Sequence, residues 1–234
     1  MSFKLLQAFE NLFRGTKYKH RDSSLGNFVA AHLYEDLCDG GYSAKFNERV
    51  AAPTCVVNAA GSTHGVRARR GDGKFGTLVP QTNPVRNPPF VVWQGMVALT
   101  QIGVEVKVLA KSQLKQIDRV MTDLASCSDT IKAKSPQAIT VGVTAVNYSH
   151  EYTGYEGKRA FPVDRTPDRA RAEADEVSRR IEREVKPRFD EFLLLKFNAT
   201  NRRPFPFAWL DAKSVNTGYG AALVRIAAEY DRRF

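Results

Sequence analysis

Glu105 and Lys107 stand two residues apart inside a β-forming run, residues 91–109 (VVWQGMVALTQIGVEVKVL), and alternate there with Val104, Val106 and Val108. A period of two puts the carboxylate and the ammonium on one strand face and the three valines on the other. Two such side chains leave the backbone about 6.5–7 Å apart and can share one small site. The carboxylate could hold a cation, and the ammonium could orient a water or screen a phosphate. An E-x-K tripeptide is equally the common form of a salt bridge on a half-exposed strand, so the surroundings must decide. Upstream, Asp72 lies in RARRGDGKFG, where D-G is also a strong turn signal. Downstream, KSQLKQIDRVMTDL patterns an amphipathic helix.

The elements that must position these residues can be read in order. Residues 2–14 form a short amphipathic helix with Phe3, Leu6, Phe9 and Phe13 on one side. Asp22, Ser23 and Ser24 offer caps for a helix over 25–38 whose stripe is Leu25, Phe28, Val29, Leu33 and Leu37, with Glu35 beside it. Short β-like runs follow at 52–58, 65–70 and 75–79, the second carrying Arg67, Arg69 and Arg70. The helix after the E-x-K strand spans 111–126, with Leu114, Ile117, Met121 and Leu124 inward and Lys111, Lys115 and Arg119 on a basic side. Residues 139–148 are nearly all apolar and predict a strand buried on both faces. Residues 150–164 predict a Tyr- and Gly-rich loop in which Tyr152, Tyr155, Lys158 and Arg159 suit a nucleic-acid or partner contact. A charged helix from Thr166-Pro167-Asp168 to Val185, a core strand over 191–200 and a helix over 220–233 complete the chain.

Composition sets the class of partner. The chain has 234 residues, 43% hydrophobic and 26% charged, with a net charge of +10. A surplus of Lys and Arg favours polyanions, nucleic acid first. Three scattered cysteines and four histidines without ligand spacing give no zinc site or disulfide framework. No apolar run approaches the ~20 residues that span a bilayer, and residues 1–13 lack a secretory cleavage pattern, so no membrane association and a cytoplasmic location are expected.

The order of acidic strand end, E-x-K strand, helix and hydrophobic strand resembles the PD-(D/E)XK nuclease superfamily over residues 23–148, although Gly71 and not proline precedes Asp72. The resemblance implies an α/β restriction-endonuclease-like core, a central mixed β-sheet flanked by helices. It implies a single domain over 1–234, with its core at 23–200 and the helices 2–14 and 220–233 as additions. Carried over residue by residue, Asp72 and Glu105 match the two acids and Lys107 the lysine. The resemblance further implies Mg²⁺, with Mn²⁺ able to substitute, held by Asp72, Glu105, the Val106 carbonyl and Glu35, or Asp36 in its place. Arg67, Arg69, Arg70, Lys111, Lys115 and Gln116 would face DNA.

The activity expected is metal-dependent hydrolysis of DNA by a homo-oligomeric antiviral effector that an activating partner switches on. Small nucleases partnered with prokaryotic Argonautes are similar in size and motif. Two alternatives stand beside it: a type II restriction endonuclease acting as a homodimer, and a non-catalytic nucleic-acid-binding subunit on the same fold.

Overall fold

A computed structural model describes residues 3–19, 24–58, 73–111 and 113–234, with the backbone alone for 24 and 25. The described chain opens with three helices, α1 (Lys4–Asn11), α2 (Ser24–Gly40) and α3 (Ala44–Ala51). Phe3 gives α1 no side-chain cap. Asp36 of α2 supplies one from outside, its carboxylate accepting the Lys4 amide at 2.7 Å and the Leu5 amide at 2.9 Å. Both amides are orphan donors at the positive end of the helix dipole, so a carboxylate there is doubly favoured. Gly41, at φ +61°, follows the last residue of α2 in the left-handed conformation that suits a helix stop.

The strands are β1 (Cys55–Asn58), β2 (Gly73–Leu78), β3 (Gln94–Gly95) and β4 (Val97–Leu109). The chain continues through α4 (Gln113–Lys134), β5 (Ile139–Asn147), a hairpin of β6 (Glu151–Glu156) and β7 (Arg159–Asp164), and α5 (Pro167–Glu184). It ends with β8 (Glu191–Ala199), β9 (Phe207–Trp209) and α6 (Ala212–Arg233). Among the described residues seven strands make one mixed sheet in the order β3-β1-β2-β4-β5-β8-β9. β1, β2 and β4 run antiparallel in turn, whereas β4, β5 and β8 are parallel. The fold is thus α/β with a mixed sheet and flanking helices, as the sequence predicts at that level.

Both faces of the sheet are covered. On one side Leu5 and Phe9 of α1, Leu33 of α2 and Leu223 and Ile226 of α6 pack with Val104, Val141 and Leu195. The terminal helices therefore belong to the main core. Phe9 and Phe13 are fully buried against Phe197, with ring centroids 5.4 and 4.9 Å away. Each is worth about 1.5–3 kcal/mol of transfer free energy. On the other side Ile117 and Leu124 of α4 and Val177 and Ile181 of α5 pack with Leu109 and Val146.

Four expectations are revised. The stretch 91–109 is not one strand: Val91 and Val92 bend away with their amides on Glu35, and the long strand begins at Val97. α4 continues to Lys134, and its buried row is Gln113, Ile117, Leu124, Cys127, Ser128 and Ile131, with Leu114 left 41% exposed. Residues 150–164 form a hairpin and not a loop, turning at Gly157 with φ +59°. α6 begins eight residues before the expected start, because Asp211 caps it by accepting the Ser214 amide at 2.9 Å. The strand expected at 65–70 lies outside the described residues. Among the described residues no helix is long and apolar enough to cross a membrane.

Candidate functional site

The site is built on the face of β4 that looks at α4. Gly103, Glu105 and Lys107 share this face by alternation, and Val104 and Val106 enter the core on the other. Gly103 admits the helix: a Cβ there would stand 2.6 Å from Ile131 Cδ1 of α4. α2 lies on the opposite side, since a Cβ at Gly73, the register partner of Val104, would meet Ala30 at 2.6 Å.

Glu105 is 5% exposed, and both of its oxygens are engaged. Lys107 Nζ donates to Oε1 at 2.5 Å, and the Cys127 thiol of α4 donates to Oε2 at 3.2 Å. The E-x-K pair is therefore a salt bridge, but one sunk beneath a helix and not spread on a half-exposed strand. Burial pushes the Cys127 thiol well above its ordinary range, and the Glu105 charge beside it pushes the same way.

A second lysine joins this group. Lys74 on β2 is the register partner of Gly103, which puts it on the α4 face diagonal to Glu105. Its backbone amide is fixed by Asn58 Oδ1 at 2.6 Å. Burial lowers the pKa of its ammonium and the Lys134 charge adds to this, while the Glu105 carboxylate offsets them only in part. The described residues thus gather two ammonium groups, one carboxylate and one thiol. Such a cluster can bind an anion and can exchange a proton with it, since a desolvated lysine gives up its proton more readily than a solvated one. Sequence reasoning passed over Lys74, although its place in the Asp72-Gly73-Lys74 run was a signal. Cys127 is reachable only once α4 is seen to extend past 126.

The other expected residues separate. Glu35 is buried on the far side of the sheet, where Oε1 accepts the Val91 and Val92 amides at 2.8 and 3.0 Å and Oε2 lies 3.6 Å from Lys4 Nζ. Asp36, its alternative, caps α1 and also accepts the Tyr219 hydroxyl at 2.8 Å. The structure does not bring either carboxylate to Glu105. Lys115 and Gln116 are exposed on the first turns of α4. Gln113, and not Gln116, turns inward: its Nε2 donates to the Asn147 carbonyl. Lys111 lies at the end of β4 against the hairpin, its Nζ 5.2 Å from the Phe161 ring centroid. Asp72, Arg67, Arg69 and Arg70 lie outside the described residues, Asp72 being bonded to Gly73.

Asn147 was not expected to matter, yet it ties the carboxyl ends of three strands. Its Nδ2 donates to the Ala110 and Ala199 carbonyls at 3.2 and 2.7 Å, and its Oδ1 accepts the Ser149 and Ala199 amides at 3.1 and 3.0 Å. A lone asparagine closing the apolar run 139–148 was the available clue.

Compared with known proteins, the chain matches no family model, no curated protein and no solved structure. Among the described residues no group of three or more His, Cys, Asp or Glu could hold a metal ion. Mg²⁺ wants several hard oxygens. The described part of the site offers one carboxylate, already bonded on both oxygens, and does not by itself fit the ion.

Proposed function

We propose that the chain is a nuclease of the PD-(D/E)XK type that hydrolyses DNA phosphodiester bonds, an antiviral effector working as a homo-oligomer under the control of an activating partner. The observation that carries this reading is the convergence of Glu105, Lys107 and Lys74 on one face of the sheet beneath α4. The mixed sheet supports it: β1, β2 and β4 pair antiparallel, and β4 is joined through α4 to the parallel strand β5, an arrangement that resembles the expected core.

In this reading Lys74 and Lys107 neutralise the non-bridging oxygens of the scissile phosphate as charge builds there. Lys107 also orients the attacking water, whose oxygen bonds to phosphorus as the 3′ oxygen leaves with a proton. We further propose that Mg²⁺ binding requires Asp72 together with Glu105, since Glu105 alone is too poor a ligand set. The bound ion would lower the pKa of a coordinated water and stabilise the charged transition state.

A specific observation favours a second reading. Lys107 and Cys127 together close both oxygens of Glu105, which is what a purely structural ion pair would look like. The chain would then be a non-catalytic nucleic-acid-binding subunit.

Plasmid cleavage in Mg²⁺ or Mn²⁺ by the unmodified protein, Lys107→Ala and Asp72→Asn separates these readings, with Mg²⁺ binding followed by calorimetry. A smear lost in both variants supports the effector, and discrete bands lost in both support a type II restriction endonuclease. Cleavage or Mg²⁺ binding that survives Asp72→Asn removes Asp72 from the site. Binding of DNA with no cutting, with or without added cell extract, sinks the nuclease.

A further inference from the structure

The hairpin of β6 and β7 forms its own two-stranded sheet and leaves the main sheet at the carboxyl end of β5. Its root is fixed. Tyr152 is fully buried in the main core. Arg202 binds both acids at its base, Glu151 at 3.0 Å and Asp164 at 2.6 Å, and also reaches Thr153 Oγ1 at 2.9 Å.

Its outer part is different. β7 is exposed along most of its length, and the Phe161 ring is 39% exposed. Two rings of the hairpin meet lysines brought from other elements. Lys17 Nζ stands 3.7 Å from the Tyr155 centroid, and Lys111 Nζ 5.2 Å from that of Phe161. Lys111 lies so close to Gly154, the register partner of Phe161, that a Cβ there would be 2.5 Å from its Nζ. Alternation puts Arg159 on the same hairpin face as Phe161 and Lys111, with Lys158 beside it at the turn and one acid, Glu156, on that face, while Tyr155 and Lys17 lie on the other. Lys111 follows Lys107 by four residues, so the hairpin is tethered to the end of the E-x-K strand.

We propose that this hairpin is the arm that grips nucleic acid, with Lys111, Lys158 and Arg159 meeting phosphates and Phe161 offering its ring to an unpaired base. The proposal rests on the nuclease reading and adds single-stranded or locally unpaired DNA as the preferred substrate. Cations interleaved with an accessible ring give charge neutralisation and stacking in one surface. A protein strand adding to the edge of β7 fits less well. Pro162 sits in that strand without an N–H to offer, and the charge at the tip is largely of one sign.

The test is fluorescence anisotropy of a labelled 20-nucleotide single strand and its duplex across a salt series. It uses the full-length protein, Lys158→Gln with Arg159→Gln, and Phe161→Ala, with folding checked by circular dichroism. The double variant should show a log–log salt slope shallower by about 1.4 on the single strand. Phe161→Ala should weaken single-strand binding by roughly five- to hundredfold while leaving the slope unchanged. Variants that bind and cut like the unmodified protein overturn the arm and leave the nuclease standing. An unmodified protein that binds neither probe and cuts nothing overturns both.

Discussion

The two faces of the sheet each bury carboxylates, and they use them differently. On the α2 face, Glu35 and Asp36 accept hydrogen bonds from the backbone amides of Val91, Val92, Lys4 and Leu5. Those donors cannot leave without unfolding a bend or the first turn of α1, so the carboxylates work as pins. On the α4 face, among the described residues, Glu105 accepts from side chains alone, the Lys107 ammonium and the Cys127 thiol. Side-chain donors can swing away and be exchanged for a substrate or a cation. A buried acid is therefore poor evidence for a site on its own, and the nature of its donors separates a pin from a working group.

Four changes would break or sharpen this contrast. The largest effect is expected for Lys107→Gln, whose amide can still donate to Glu105. Cleavage should fall about 10³-fold, equivalent to about 4 kcal/mol of barrier, with little change in melting temperature. A matching drop in thermal stability would instead make Lys107 a pin.

Asp36→Asn should behave in the opposite way. It turns an N–H toward donors at the start of α1 and should cost about 3 kcal/mol in urea unfolding, while cleavage per folded molecule stays the same. Lys74→Met should lower cleavage roughly ten- to hundredfold and yet leave the melting temperature level or higher, because it removes an ammonium that burial disfavours. A protein that melts lower and cuts normally would take Lys74 out of the site.

The smallest effect is expected at Asp190, a pin of mixed type. Burial raises its pKa, but the Thr140 amide and hydroxyl, Arg233 and Lys132 more than reverse this and hold it below the usual range. A carboxylate depressed by folding contributes stability above its unfolded pKa and loses it as pH falls through the folded one. Asp190→Asn should therefore cost about 1–2 kcal/mol near neutral pH and flatten the decline in melting temperature below pH ~4. Parallel pH curves for the two proteins would remove Asp190 from the acid response.

Legibility in the sequence followed the kind of signal involved. The apolar run of β5 was plain, because burial alone dictates it. The inward face of α4 was misjudged at its first turn. Gln113 is buried because a carbonyl of another strand, that of Asn147, awaits it, and the pattern of α4 itself holds no trace of that. The start of α6 was obscured by Gly218 and Gly220, although Asp211 three residues before Ser214 was a cap signal. Gly220 has a tertiary reason: a Cβ there would stand 3.1 Å from the Phe3 ring of α1. In the site, spacing along one strand was enough to pair Glu105 with Lys107. Lys74 and Cys127 reach them through register and helix packing; the Asp72-Gly73-Lys74 run hinted at the first, and no local pattern encodes the second.

Gly103 sets the clearance between floor and roof at the candidate site. Because this position of β4 has no side chain, Ile131 can rest on the strand, and the helix is held low enough for Cys127 to touch Glu105. The clearance between β4 and α4 beside Glu105 is thus set by one missing methyl group. A single added carbon at residue 103 would act as a shim, tilting the roof at its far end while leaving every polar group of the site unchanged.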